Sequence, residues 1–509
     1  MAYFVPPFFP VVYVRGYAMT SAEIADTVST PYMGFNLGAT KARQTWDGKV
    51  VRQVFESPVV RLMKDYGYRD IYANGTEITG PIPARSIIIY RYYDTADKDF
   101  GDGKALSIPE AARGLRALLY QLRAQMCGAQ ADLQRQFKVH LVAHSMGGLV
   151  VRAFLQNDEI STPEDRNLVS KVFTYATPHN GIEMAGINVP AAFGLWDMNN
   201  FNRGRMAEYL DLPRDEGRVD TLGGKFDAQR FFCFVGTNHR DYPVAGGLAR
   251  ALAGEMSDGL VKIENATVAD SPRAFAFRCH SGPYGVVNSE EGYQNLVRFL
   301  FGNLRVDGVL EVQALPLPPS VEKARRRGKS IRASYYFECS VSPRGALGYR
   351  LTERRRDTYS AILRGYDELL NLEDTDRDAP RWPMLFSAYL DTSKITVGRT
   401  VVFGVELKVS TTGYTINNKL WLDQHVEGEY LFRDTLTFKV TLKPGGFNLR
   451  YLRTDESWSE KKGTLAQFGP DASFSVPLDS GKGFKGTLAL TVHKISPAGT
   501  PVHHEREYA

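Results

Sequence analysis

Residues 139–154 read VHLVAHSMGGLVVRAF. An apolar run of this kind forms a buried strand or a buried helix. Neither has a use for His144-Ser145 at its centre, and Gly147-Gly148 weakens both. The arrangement that fits is a strand over 138–142, a sharp turn presenting Ser145, and an apolar helix over 145–155. A buried strand that feeds directly into a helix is the repeating unit of a layered α/β sheet, so this one stretch constrains the whole fold.

The rest of residues 1–305 agrees with it. Short apolar strands are expected at 10–14, 86–90, 171–175, 231–235 and 274–278, and helices at 108–126 and 290–301. Within 108–126, Ala111, Ala112, Leu115, Leu118, Leu119 and Leu122 recur at three- and four-residue steps, one face of a helix. Strands alternating with helices predict a mostly parallel sheet covered on both faces, over residues 1–308.

The pattern then changes. Residues 311–332, EVQALPLPPSVEKARRRGKSIR, hold three prolines and six basic side chains. They read as a Pro-rich, basic linker over 309–332, solvated or touching an anionic surface. Beyond it, Val401, Phe403, Val405, Leu407 and Val409 alternate with other residues, as do Leu436, Phe438, Val440 and Leu442, and Leu488, Leu490 and Val492. Period two over several segments predicts an antiparallel β-sandwich at 333–509, with one helical exception near 358–370. Polymer, a lipid surface, a partner protein or simple stabilisation of the first domain would each suit this second domain.

At 509 residues the chain is too long for one ordinary core, which agrees with two domains. A formal net charge of +5 is small for this length and gives no reason to expect nucleic-acid or membrane binding. Cys127, Cys233, Cys279 and Cys339 lie far apart, without the spacing of a zinc site or a disulfide scaffold. HExxH, Walker A, GxGxxG and EF-hand patterns do not occur, so neither metal nor cofactor is expected. The stretch MAYFVPPFFPVVYVRGYAMT lacks a basic segment ahead of an apolar one, and no run of 18 apolar residues occurs. The expectation is a cytoplasmic chain, with export by a signal-independent route as the alternative.

In a strand–turn–helix elbow the central residue is held in a strained conformation, and small residues two before and two after let the chain fold back. Ala143 and Gly147 meet that need around Ser145. The strain would project the hydroxyl, and the helix N-terminus behind it favours developing negative charge. A serine N-cap in a tight turn gives the same local pattern.

With VVYVRGY, VAHSMGG, ATPHNG, SDGLV and the loop around His280, the chain resembles bacterial α/β-hydrolases of the esterase/lipase type over residues 8–303. Ala-His-Ser-Met-Gly-Gly stands where many of those enzymes have Gly-His-Ser-x-Gly-Gly. The resemblance implies a serine nucleophile, an acid and a histidine in that chain order. Seven of the nine histidines follow Ser145, and of the three ahead of the β-domain His280 alone follows the last expected strand of the sheet. His179 and His239 come too early, and the four in the β-domain are expected at its surface. For the acid, Asp258 in Met256-Ser257-Asp258-Gly259-Leu260-Val261 matches the lipase segment; Asp241 is its competitor. The backbone N–H groups of Met146 and Tyr17 would form the oxyanion hole. Arg15 departs from the family, which has histidine there. The resemblance assigns His144 and His179 supporting roles beside the nucleophile. Some of those lipases hold a structural calcium near the histidine loop, but Ser-Gly-Pro-Tyr after His280 offers no carboxylate here, so none is expected. The resemblance also places a cap over 181–229, either a mobile lid or a permanently packed element.

These readings converge on a serine carboxylic-ester hydrolase, lipase- or esterase-like, acting on an ester or lipid with transient contact to a lipid surface. A phospholipase, a signal-less effector among them, an amidase, a polyester hydrolase and an inert scaffold with a binding β-domain are the alternatives.

Overall fold

The computed structural model describes residues 4–16, 35, 38–44, 48, 50–73, 76–77, 82–96, 101–184, 187–188, 198–213, 217–242, 253–346, 348–370, 381–395, 400–416, 424–443, 446–458, 463–468, 473–496 and 501–502. The chain divides into two compact units, the first running to Phe301 and the second beginning at Gly302, with a short exchange of segments after Ile495.

The first unit is built on a sheet of β1 (Val11–Val14), β2 (Arg69–Asp70), β3 (Ser86–Tyr90), β4 (Val139–His144), β5 (Val169–Tyr175), β6 (Phe231–Gly236) and β7 (Arg273–Ala276). Their spatial order is β7-β6-β5-β4-β1-β3-β2, and every pairing is parallel. All residues of β1, β4, β5 and β6 are buried, as strands covered on both faces must be. The chain order reverses at β1, where β4 and β3 lie on either side of it. Crevices at such a switch point, outside the carboxyl ends of the strands, are where open α/β sheets bind ligands.

The helices start and stop where local chemistry dictates. α1 (Pro58–Tyr66) is capped by Ser57 and ends at Gly67 in the left-handed region. α2 (Ile108–Cys127) opens on a capping box in which Ser107 and Glu110 satisfy each other's backbone N–H, with Pro109 in the first turn. It buries Ala111, Ala112, Leu115, Leu119 and Leu122, the stripe expected from the sequence, while Leu118 is only partly covered. α3 (Gly147–Gln156) is buried along its entire length. α4 (Arg203–Leu210) follows, and α5 (Glu290–Phe301) closes the unit.

The second unit is antiparallel. One sheet contains β8 (Leu304–Ala314), β10 (Met384–Leu390), β14 (Ser473–Asp479) and β15 (Lys485–Ile495) in the order β10-β8-β15-β14. The other runs β9 (Ile331–Pro343), β11 (Thr400–Ile416), β12 (Tyr430–Lys443), β13 (Gly446–Leu452). Residues from both sheets, Leu310, Val312, Leu488 and Leu490 from one and Phe337, Val405, Leu407 and Phe438 from the other, share one core. This is the alternation of a two-layer sandwich.

One expectation fails here and another holds only in part. Residues 309–332 are not a linker: they comprise most of β8, then α6 (Pro319–Arg326) and the first residues of β9. The prolines stand outside the strand, between β8 and α6 and at the helix's first position, where a missing N–H costs nothing. The basic residues occupy the exposed face of α6, while Val321 and Ala324 turn inward. The helical exception near 358–370 is a strand at Ile362–Gly365 with one helical turn at Tyr366–Leu370. Among the described residues, no helix is long and apolar enough to cross a membrane.

Candidate active site

β4 ends at His144, and the next residue, Ser145, takes a positive φ of 54°. Its N–H donates to the Tyr175 carbonyl of the neighbouring strand at 2.9 Å, and its carbonyl accepts from Thr177 Oγ1 at 2.8 Å. The turn is therefore pinned from both sides, and α3 leaves it at Gly147. A non-glycine residue in this region costs of order 1–3 kcal/mol and persists only where its surroundings overdetermine it. Gly16 makes room for it: a Cβ there would lie 2.5 Å from Ser145 Cβ and 2.8 Å from the Met146 nitrogen. Met146 precedes the first turn of α3, where backbone N–H groups have no partner within the helix.

His280 sits on the loop between β7 and α5. Cys279 N–H donates to the Tyr284 carbonyl at 3.2 Å and the Cys279 carbonyl accepts from Val286 at 3.0 Å, closing the loop on itself. Arg278 ties its base to Glu291 in the first turn of α5 with an ion pair of 2.9 Å. The His280 Nε2 is 2.9 Å from Ser145 Oγ, and its Nδ1 is 2.8 Å from Asp258 Oδ2. The other carboxylate oxygen of Asp258 accepts the N–H groups of Leu260 and Val261, at 3.0 and 2.8 Å. An ionised carboxylate only accepts, so this geometry sets the proton on Nδ1 and leaves Nε2 to accept from the serine hydroxyl. All three side chains are buried: Ser145 is 6% exposed, His280 3% and Asp258 1%.

The competing residues lie elsewhere. Asp241 accepts from Asn238 Nδ2 at 2.6 Å. His179 is wholly buried with its Nε2 3.1 Å from Thr174 Oγ1. Burial, with Arg152 and Arg273 nearby, drives its pKa well below the usual histidine range. His144 sends its Nε2 to the His280 carbonyl at 2.9 Å. Burial, then His280 and Arg15, hold it neutral as well. Tyr17 lies outside the described residues, as do 185–186, 189–197 and 214–216 of the expected cap.

Several contributors carried no motif. Tyr242 packs edge-on to the His280 ring at 5.5 Å. Arg152, fully buried in α3, donates to the carbonyls of His179, Val219 and Thr221 at 2.6–2.7 Å and to Gln156 Oε1 at 2.8 Å. Burial lowers its pKa to about 10. Asn180 adds bonds of 2.9 Å to Asn265 Oδ1 and from the Val219 N–H. Together they fasten the segment after β5 beneath α3. The signal available in sequence was one arginine inside the apolar run LVVRAF, four residues before Gln156.

A cavity of about 340 Å³ lies between the residue preceding Ser145 and the loop after His280, walled by Arg15, Phe35, His144, Pro283, Val287 and Asn288 among others. Its size is that of a small-molecule site.

No protein-family model matches the chain, and no curated relative does. Among solved structures it aligns with phospholipase PlaB from Legionella pneumophila at 12% identity, over 78% of this chain and 86% of that one, with a TM-score of 0.33. The lin2722 gene product from Listeria innocua aligns at 12% identity over 58% of this chain and 94% of that one, with a TM-score of 0.25. The Tle4–Tli4 complex gives 18% identity, 44% and 57% coverage and a TM-score of 0.21. Strand order and elbow geometry give the first unit the α/β-hydrolase fold, and the second unit is an antiparallel β-domain.

Proposed function

We propose that the chain is a serine carboxylic-ester hydrolase whose triad is Ser145, His280 and Asp258. The observation that carries this reading is the unbroken hydrogen-bond chain from Ser145 Oγ through the His280 ring to the Asp258 carboxylate, at 2.9 and 2.8 Å, starting from a serine at positive φ. A serine hydroxyl is a poor nucleophile until a positioned base takes its proton, and the base needs a carboxylate to orient it.

In the mechanism, Oγ attacks the ester carbonyl carbon as its proton passes to His280 Nε2. The carbonyl π electrons move to oxygen, and that oxyanion is held by the N–H groups of Met146 and Tyr17. Collapse breaks the bond to the alcohol oxygen, which takes the proton from His280 and leaves. Water then attacks the acyl-enzyme, its proton again passing to Nε2, and release of the acid restores Ser145. Asp258 stays ionised and stabilises the imidazolium in both halves. Each oxyanion donor contributes about 3 kcal/mol of transition-state stabilisation.

The test is hydrolysis of p-nitrophenyl esters from acetate to palmitate, wild type beside Ser145→Ala, together with fluorophosphonate labelling. Activity and label should both vanish in the variant. Turnover that survives there would end the proposal, and the chain-length profile divides esterase from lipase.

A further inference from the structure

His144 and Ser145 are consecutive, and both hold His280. Ser145 Oγ lies 2.9 Å from the ring Nε2, and the His144 Nε2 lies 2.9 Å from the His280 backbone carbonyl. A carbonyl only accepts, so the His144 proton sits on Nε2 and that nitrogen donates. The His280 N–H is engaged as well, donating to the Asp258 carbonyl at 3.0 Å. Inside the loop that carries His280, Gly282 takes a positive φ of 83°, and its carbonyl accepts from the Gly285 N–H at 2.9 Å and from Asn288 Nδ2 at 3.1 Å. Those bonds set the loop's own shape. The His144 bond is different: it crosses 136 positions of chain and ties the loop to the elbow. His144 is 7% exposed, so water competes little for it. The donor is also uncharged. In the proposed mechanism His280 becomes an imidazolium, its centroid 5.2 Å from that of His144, and a second cation there would oppose it. Burial, then His280 and Arg15, keep the His144 ring neutral. A lysine or arginine could donate to the same carbonyl only by adding that charge.

Resting on the ester-hydrolase reading, we propose that His144 is a positioning residue: its Nε2–H clamps the His280 carbonyl and so holds the base at hydrogen-bond distance from Ser145 Oγ.

The experiment is a double-mutant cycle on the full chain, read as kcat on p-nitrophenyl butyrate beside the melting temperature of each variant. His144→Leu keeps bulk but loses the donor, and should lower kcat by about 10- to 100-fold, the scale of a small displacement at reacting atoms. His144→Gln can set an amide N–H near the place of Nε2, and should recover kcat to within about threefold of wild type. His144→Asn, whose amide falls short of the carbonyl, should lose activity as the Leu variant does, and serves if that variant does not fold. A clamp on a missing ring has nothing to position. In a His280→Ala background, which retains the residual rate of the oxyanion hole, His144→Leu should therefore change kcat by less than about threefold. Equal losses in the two backgrounds overturn the inference alone, since His144 would then act on something other than His280. So does a Gln variant as slow as the Leu variant at the same melting temperature. A wild type that cleaves no p-nitrophenyl ester and resists fluorophosphonate at Ser145 defeats the ester-hydrolase reading itself, and this inference with it.

Discussion

Asp258 holds His280 twice: Oδ2 lies 2.8 Å from the ring Nδ1, and the Asp258 carbonyl accepts the His280 backbone N–H at 3.0 Å. The backbone bond fixes the loop, and the carboxylate fixes the ring. Asp258→Asn should therefore leave the fold and the loop in place while an amide at this position favours the wrong tautomer. The expected result is a fall in kcat of about 10³- to 10⁴-fold at neutral pH with an unchanged melting temperature. Asp241→Asn, whose partner is Asn238, should change kcat by less than about threefold. Steady-state kinetics on one chromogenic ester decides between them, and a larger loss in the Asp241 variant would reverse the assignment of the acid.

Gly16→Ala should disable the site with little effect on the rest of the fold. The added methyl carbon would lie 2.5 Å from Ser145 Cβ, so the elbow or the loop after β1 must shift. Displacement by even 1 Å at reacting atoms typically costs about 100-fold. A loss of at least that size is expected in kcat, read beside the far-ultraviolet circular dichroism of the same sample. Near-normal turnover would show that the elbow is more compliant than its packing implies.

Arg152→Met should destabilise the full chain. The substitution removes a cation that is completely buried, takes the arginine donor from the carbonyls of His179 and Val219, and leaves that of Thr221 with Gln156 Nε2 at 3.0 Å. Breaking a buried charged network costs about 3–5 kcal/mol. Urea midpoints of wild type and variant measure this. A shift under about 1 kcal/mol would mean that water takes over the carbonyls that Arg152 leaves.

Acid should weaken the first unit. His140 is buried, its Nε2 bonded to the Pro7 carbonyl at 2.8 Å, and burial carries its pKa down to about 3. Above pH 6.5 the histidine is neutral in both folded and unfolded chains and makes no difference. Below it, the unfolded chain binds a proton that the folded chain refuses, so stability falls progressively from pH 6.5 toward pH 3. At pH 5 this amounts to about 2 kcal/mol from His140. His144 and His179 act in the same direction. Urea denaturation between pH 7.5 and pH 5 should show the loss, and His140→Asn should flatten its slope. A pH-independent midpoint would argue that these rings protonate without unfolding.

What was legible in the sequence was local. Ser145 could be found because the strand, the small residues and the helix that make an elbow are contiguous in the chain. His280 could be found because it follows the last strand of the sheet. The meeting of Ser145, Asp258 and His280 is a tertiary fact that chain order suggested and packing supplied. Residues 309–332 misled because proline and arginine dominate their composition. Leu310 and Val312 in fact stand on a strand flanked by β10 and β15, and those partners lie far downstream in sequence. Arg152 escaped for the opposite reason. Its partners are backbone carbonyls, which have no sequence signature, and a lone cation in an apolar helix looks like an exposed position.

The positive φ at Ser145 sets two demands on one residue against each other. Glycine is the residue that this backbone conformation favours, so Ser145→Gly should relax the turn and raise the melting temperature while removing the proposed nucleophile. Proteins screened for thermal robustness alone would therefore drift away from serine here, and its presence in a folded chain is a signature of selection for something other than folding.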